Sequence, residues 1–340
     1  MSVLTELAAF HFLSLILFFL NLYGHLCVAE LPENRKSEDS MVLVKGGVTE
    51  VGLEKPIIPQ DGEGPIRKID VPSFYIDKTE VTNAQFKRFV DATGYKTEAE
   101  KFGNSFVMQS FVSEEINSKI TQSVASAPWW LPVDKADWQH PEGPDSSIKS
   151  RMDNPVVHVT WNDATEFCRW AGKRLPFEAE WERACNNGRP TRLFPWGNRE
   201  KDKDGEWLLN IWQGKFPEEN LAEDGHVGLA PVASYSSCHL GLHDMVGNVW
   251  EWTQDWHSVD HPKKPTITGP ASGKDKVKKG GSFMCQKGFC YRYRCAARGN
   301  NSPDTSAYNL GFRCVKSEVP HPETDPTDSS TSANKHKTEL

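Results

Sequence analysis

The feature that most restricts this chain is the stretch from residue 280 to 314, GGSFMCQKGFCYRYRCAARGNNSPDTSAYNLGFRC, which holds four of its eight cysteines. Cys285, Cys290 and Cys295 recur every five residues, and Cys314 closes the stretch. That interval is neither the two-residue gap of a thioredoxin-like pair nor a zinc-finger spacing. Cationic and aromatic residues interleave with the thiols: Lys287, Phe289, Tyr291, Arg292, Tyr293, Arg294 and Arg298. A nearby cation lowers a thiol's pKa and enriches the thiolate, the form that reacts and binds metal. The residues leave three readings open: structural disulfides, a closed zinc site, and redox or soft-metal chemistry.

The compartment bears on that choice. An apolar run over residues 7–22, followed by Cys27-Val28-Ala29, reads as a signal peptide covering residues 1–29. Glu6 and the absence of an early lysine or arginine depart from the usual pattern, and the alternative is an uncleaved anchor. Either way the remainder enters the secretory pathway, where disulfides persist, and with the signal peptide cleaved no stable membrane insertion is expected. Cleavage after Ala29 removes Cys27 and leaves seven cysteines, so one thiol is free or intermolecular. Residues 30–40 read as a flexible leader and residues 318–340, rich in Pro, Ser, Thr and Asp, as a disordered tail. The chain ends Lys337-Thr338-Glu339-Leu340, one residue from a Lys-Asp-Glu-Leu retrieval signal. That ending predicts the endoplasmic reticulum lumen and a retrieval receptor as a partner. A net charge of -7 gives no support to nucleic acid as a partner.

Between these ends the pattern predicts a single α+β domain with little regular secondary structure, over residues 41–317. Residues 41–44 and 69–77 read as strands. Thr82 is placed to cap a helix that buries Phe86, Phe89 and Val90 and stops at Gly94. Residues 155–160 read as a further strand, Asn162 as the cap of a helix carrying Cys168 and Trp170, and Pro176 as the start of a helix carrying Cys185. All twelve tryptophans fall between Trp129 and Trp256, which suggests one aromatic-rich core. Trp129 and Trp130, flanked by Pro128 and Pro132, suit either that core or the wall of a peptide groove. Two stretches are rich in oxygen donors and glycine: Asn210-Ile211 with Asp224-Gly225-His226, and Asp244 to Glu251 with Gly247 and Val249 between. Their spacing fits no EF-hand, and such clusters are common in plain turns.

The segments GGSFMC, CYRYRCAAR and NLGFRC closely resemble the active-site segment of the formylglycine-generating enzymes, the sulfatase-modifying factor family, and the similarity runs from about Met41 to Lys316. The resemblance implies that family's fold, which is related to C-type lectins. It implies a redox-active, copper(I)-binding pair at Cys285 and Cys290 and structural bridges Cys168–Cys314 and Cys185–Cys295, with Cys238 left over. It places Ser282 near the oxygen site and Asn309 along the substrate groove, which Trp129 and Trp130 would line if they form a groove wall rather than core. It implies two structural calcium ions, one held by Asn210, Ile211, Asp224 and His226, the other by Asp244, Gly247, Val249 and Glu251. His226 would offer its carbonyl, since calcium prefers oxygen.

The implied activity is oxidation of the cysteine in a Cys-x-Pro-x-Arg motif of unfolded sulfatase polypeptides to formylglycine, using dioxygen and a thiol reductant. The chain departs from the family pattern in three places. Residues 30–40 lack the cysteine pair of the animal members' extension, Asp91-Ala92-Thr93 replaces a glycosylation sequon, and Gln286 stands where a histidine is common. Rival classes are a lectin-like binding module and a thiol–disulfide oxidoreductase. The intact Cys285/Cys290 pair argues against the first, and the absence of CxxC against the second.

Overall fold

The computed structural model describes residues 40–318, and the signal-peptide and retrieval-signal readings, with nearly all of the leader and tail, lie outside them. Strand β1 (Met41–Val44) pairs antiparallel with β4 (Phe74–Asp77), and β11 (Val315–Ser317) pairs with the other edge of β4. The two ends of the described chain therefore meet in one sheet. Strand β2 (Gly47–Val51) pairs with β3 (Arg67–Val71). The single strand expected over residues 69–77 is thus two strands in different sheets. Pro72 has no N–H to give a ladder, so the chain changes partner there.

Helix α1 (Asn83–Thr93) forms where expected: Thr82 and Gln85 make a reciprocal capping box and Gly94 ends it at φ 67°. Short helices α2 (Glu98–Phe102) and α3 (Glu114–Asn117) flank strand β5 (Asn104–Met108), which pairs with β6 (Trp130–Asp134). Helix α4 (Trp161–Trp170) is capped by Thr160 rather than Asn162: the Thr160 hydroxyl accepts from the Asp163 N–H at 3.1 Å, and the Asp163 carboxylate accepts from the Thr160 N–H. Asn162 instead donates to Glu98. Residues 155–160 form no strand beyond one bridge from Pro155 to Thr82, because His158 adopts φ 59° and turns the chain out of the extended path. Helix α5 (Glu178–Asn186) begins two residues beyond Pro176, whose carbonyl accepts from Gln254 N–H at 2.8 Å.

Strand β7 (Trp250–Trp256) is central to the largest sheet, order β10-β7-β8-β9, with β8 (Lys276–Lys279), β9 (Gly299–Asn301) and β10 (Leu310–Gly311). Cys168 on α4 is joined to Cys314, and Cys185 on α5 to Cys295, with Cα separations of 5.8 and 5.6 Å. These bridges close 146 and 110 residues of chain, which in the chain-entropy view removes about 4–5 kcal/mol each from the unfolded ensemble. The tryptophans do not share one core. Trp138, Trp181 and Trp252 are buried in the main one, whereas a second cluster around Val107, Val133, Trp212, Phe283 and Tyr308 has Trp129 and Trp130 on its margin. No helix among the described residues is long and apolar enough to cross a membrane.

Candidate active site

Two glycines fold the cysteine segment back on itself. Gly280 and Gly281 adopt φ 90° and 69°, and a Cβ on them would stand 2.8 Å from Met245 O and from Tyr293 Cα. Only glycine permits both the left-handed backbone and that approach. The turn lays Ser282 to Cys285 beside Cys290 to Tyr293. Cys285 N–H donates to Ser282 O at 2.9 Å, and Cys290 N–H donates to Gln286 O at 2.7 Å. Cys285 and Cys290 are thereby paired, Cα atoms 4.8 Å apart. Cys285 is buried and Cys290 half-buried, and both line one open groove of about 540 Å3. The other two bridges lie in the core, and Cys238 is free and half-buried elsewhere.

The groove wall is aromatic. Phe216 and Phe289 stack at 4.4 Å, and Trp129 meets both edge-on at 5.1 and 5.2 Å. Trp129 and Trp130 are therefore lining rather than core. Asn309 reaches the site from the chain before β10 and donates through Nδ2 to the buried Ser282 hydroxyl at 2.9 Å. The backbone of Trp212 donates to Cys285 O at 2.9 Å and fixes the floor.

The cations that the sequence offered as thiol activators are mostly spent on carboxylates. Arg292 forks onto Asp61 and Arg294 onto the fully buried Glu63, Arg298 donates through Nε to Glu178 at 2.6 Å, and Lys287 lies over the Tyr291 ring. Among the described residues the groove cation without a carboxylate is Lys278, two residues before the glycines. Its amine lies 4.6 Å from the centre of the Trp250 ring, and burial, with Arg292 adding to it, lowers it to about 7.

The two oxygen-rich stretches are neighbours in space. Ile211 N–H donates to Asp224 Oδ2 at 2.9 Å, and His226 N–H to Asp224 Oδ1 at 3.0 Å. Gly247, at φ 84°, packs so tightly that a Cβ would stand 2.4 Å from Asn210 O. Asn210 Nδ2 donates to Asn248 Oδ1, and Asn248 Nδ2 to Glu80 Oε1, each at 3.0 Å. Among the described residues three buried side-chain oxygens are left without a hydrogen-bond partner, Asn210 Oδ1, Glu80 Oε2 and, three residues on from Glu80, Asn83 Oδ1. Burial drives Glu80 well above the usual carboxylate range, with the charge of Asp244 adding to it, and burial also raises Asp224 and Asp244. Acceptor-only oxygens stranded in this way suit a hard cation. Among the described residues no three His, Cys, Asp or Glu side chains converge as a metal cage, so amide and backbone carbonyl oxygens would complete such sites. Glu251, expected among the ligands, accepts from Arg313 and Trp181 at 2.7–2.8 Å, two of these bonds falling on Oε2 and one on Oε1, which keeps a lone pair for a cation. Glu80 carries no sequence signal for such a role, because a lone acid before a helix cap looks like an ordinary surface residue.

Comparison with known proteins places this geometry in a family. Residues 28–318 match the sulfatase-modifying factor enzyme 1-like domain. The chain is 55% identical over 293 residues to a formylglycine-generating enzyme of Bos taurus, covering 85% of this chain and 78% of that protein. It is 43% identical over 279 residues to a Bos taurus protein described as an inactive C-alpha-formylglycine-generating enzyme 2, covering 81% of this chain and 87% of that one. The structure of PvdO from Pseudomonas aeruginosa superposes with a TM-score of 0.59 at 21% identity, over 82% of this chain and 94% of PvdO, which shows a shared fold.

Proposed function

The chain belongs to the sulfatase-modifying factor family, and from that premise we propose that it oxidises the cysteine of a Cys-x-Pro-x-Arg segment in unfolded sulfatase polypeptides to formylglycine. The observation that carries the reading is the placing of the cysteines. Four are locked in two core bridges, while Cys285 and Cys290 face each other at the floor of an open aromatic groove.

An extended peptide suits this groove. Trp129, Phe216 and Phe289 offer flat apolar faces to the motif's proline. Asn309 holds the Ser282 hydroxyl beside Cys285, so a donor is already oriented where oxygen chemistry must occur. Once a thiol reductant has opened their bridge with two electrons, Cys285 and Cys290 supply two thiolates five residues apart, which fits copper(I) better than any hard cation. Copper(I), when bound, supplies a soft centre for a third thiolate and electron transfer to dioxygen. The overall balance converts the –CH2SH side chain and O2, with two electrons and two protons from a thiol reductant, to –CHO, H2S and water. Half of dioxygen's four electrons thus come from the reductant. Asn210, Ile211, Asp224 and His226, and Asp244, Gly247, Val249 and Glu251 with Glu80 beside them, would hold two calcium ions that brace the loops beneath the groove. The endoplasmic reticulum lumen, with retrieval through the Lys-Thr-Glu-Leu end, suits a substrate that is still unfolded.

The test is mass spectrometry of a Cys-x-Pro-x-Arg peptide incubated with the protein, copper and a reductant. The expected product has lost sulfur, gained oxygen and reacts with a hydrazide. Absence of that aldehyde, or its equal formation by Cys285→Ser and Cys290→Ser variants, would overturn the reading.

A further inference from the structure

Strand β8 carries three lysines, and two are settled. Lys276 Nζ donates to Gln254 O at 2.9 Å and lies over Trp161 and Trp256, and Lys279 Nζ pairs with Glu182 at 3.0 Å. Lys278 is different. It is half-buried, lines the groove that holds Cys285 and Cys290, and makes no hydrogen bond or ion pair among the described residues. Its backbone is fixed on both sides, opposite Trp252 and Gly299. Gly299 makes room for it: a Cβ there would stand 3.1 Å from Lys278 Cε and 2.9 Å from the Trp250 ring.

The proposed reaction, on which this inference rests, brings a thiol into the groove and uses it as a thiolate, so its proton must be received. Three ionisable side chains line the groove, Asp61, Lys278 and Arg292, beside the bonded pair Cys285 and Cys290. The cysteines are the reacting pair. Arginine has no lone pair to offer. Asp61 is closed by the Arg292 fork. We propose that Lys278 receives the proton of the substrate cysteine: the S–H bond breaks, its electron pair stays on sulfur, and the proton goes to the Nζ lone pair.

The surroundings keep that lone pair available. Burial lowers the amine to about 7, and Arg292 acts in the same direction. The faces beside it, Trp250 and Asn300, are not ionisable, and His257 stands behind Asn300 at 3.5 Å. Glu251 on the neighbouring strand is bound by Arg313. No carboxylate therefore holds Lys278 as an ammonium ion.

The test measures kcat/KM against pH for the copper-loaded wild type, Lys278→Gln and Lys278→Arg, using a Cys-x-Pro-x-Arg peptide. A free thiol ionises near pH 8.5, so only about 3% is thiolate at pH 7. The wild type should show an acid limb near pH 7. Both variants should lose at least about tenfold at pH 7, with the limb displaced towards 8.5 and the deficit closing above pH 9. Binding of the Ser-substituted peptide, followed by tryptophan fluorescence in metal-free protein, should be the same for all three. Lys278→Arg keeps the charge over Trp250, so a wild-type profile in it would overturn the proton-acceptor role and leave only an electrostatic one. A wild-type profile in Lys278→Gln would overturn the inference outright. A wild type that forms no formylglycine would instead sink the functional reading beneath it.

Discussion

Glu63 and Arg294 form a fully buried ion pair that ties the loop before β3 to the cysteine segment. Arg294 Nη1 donates to Glu63 Oε2 at 3.3 Å and Nη2 to Oε1, while its Nε donates to Tyr291 O at 2.6 Å. Glu63 Oε2 also accepts from the N–H groups of Ile57 and Ile58, at 3.0 and 3.1 Å. The loop so anchored carries Asp61, the partner of Arg292 at the groove. Glu63→Gln keeps the shape and the backbone contacts but leaves the Arg294 charge buried without a counter-ion. Breaking one side of such a pair costs about 3–5 kcal/mol. For a domain of this size that is a fall in Tm of about 6–10 °C. Arg294→Met removes the other charge, and the double variant Glu63→Gln with Arg294→Met, which keeps an acceptor for the Ile57 and Ile58 N–H groups, should recover most of the loss because no unpaired charge stays buried. Differential scanning calorimetry of the four proteins in the cycle measures this. A Glu63→Gln variant melting within about 2 °C of wild type, or a double variant no better than the single, would refute the assignment of this pair as the groove's anchor.

Cys285→Ser and Cys290→Ser should each abolish turnover while leaving Tm nearly unchanged, since their bridge spans only five residues; a large drop in melting would make the pair structural. Calcium at about a hundredfold excess over its Kd should raise stability by about 2.7 kcal/mol, and Glu80→Gln should remove much of that increment. Equal calcium responses in the variant and wild type would exclude Glu80 as a ligand. Glu251→Ala is a poor probe, because it strands the buried Arg313 with or without metal. Asp255 is raised to about 7 by burial and by the charge of Glu178. The folded state therefore holds a proton that the unfolded state has released, so this contribution is complete below about pH 4 and is lost as pH rises through about 7. Asp255→Asn should gain on wild type across that window and then run parallel, as read from urea midpoints between pH 4.5 and 8. Parallel curves throughout would contradict this.

The sequence by itself determined whatever depends on near neighbours. Thr82, Gln85 and Gly94 define helix α1 within a dozen residues, and the cysteine spacing with GGSFMC and CYRYRCAAR was enough to indicate the family. The cap signal failed at helix α4, where Thr160 caps in place of the expected Asn162, because the choice rests on a side chain's reach in the folded turn. The strand expected over residues 155–160 failed because one left-handed residue, His158, cannot be read from apolar pattern.

Only the tertiary structure decided which charges remain free. Arg294 finds Glu63 across 231 residues of sequence, and Arg298 finds Glu178 across 120, so a run that reads as a set of thiol activators becomes a set of struts. The same long-range packing left Lys278 facing the groove and Glu80 with an unmatched oxygen. Pairing and burial, rather than residue type, set whether a charged group is structural or chemical, and both are properties of the folded chain.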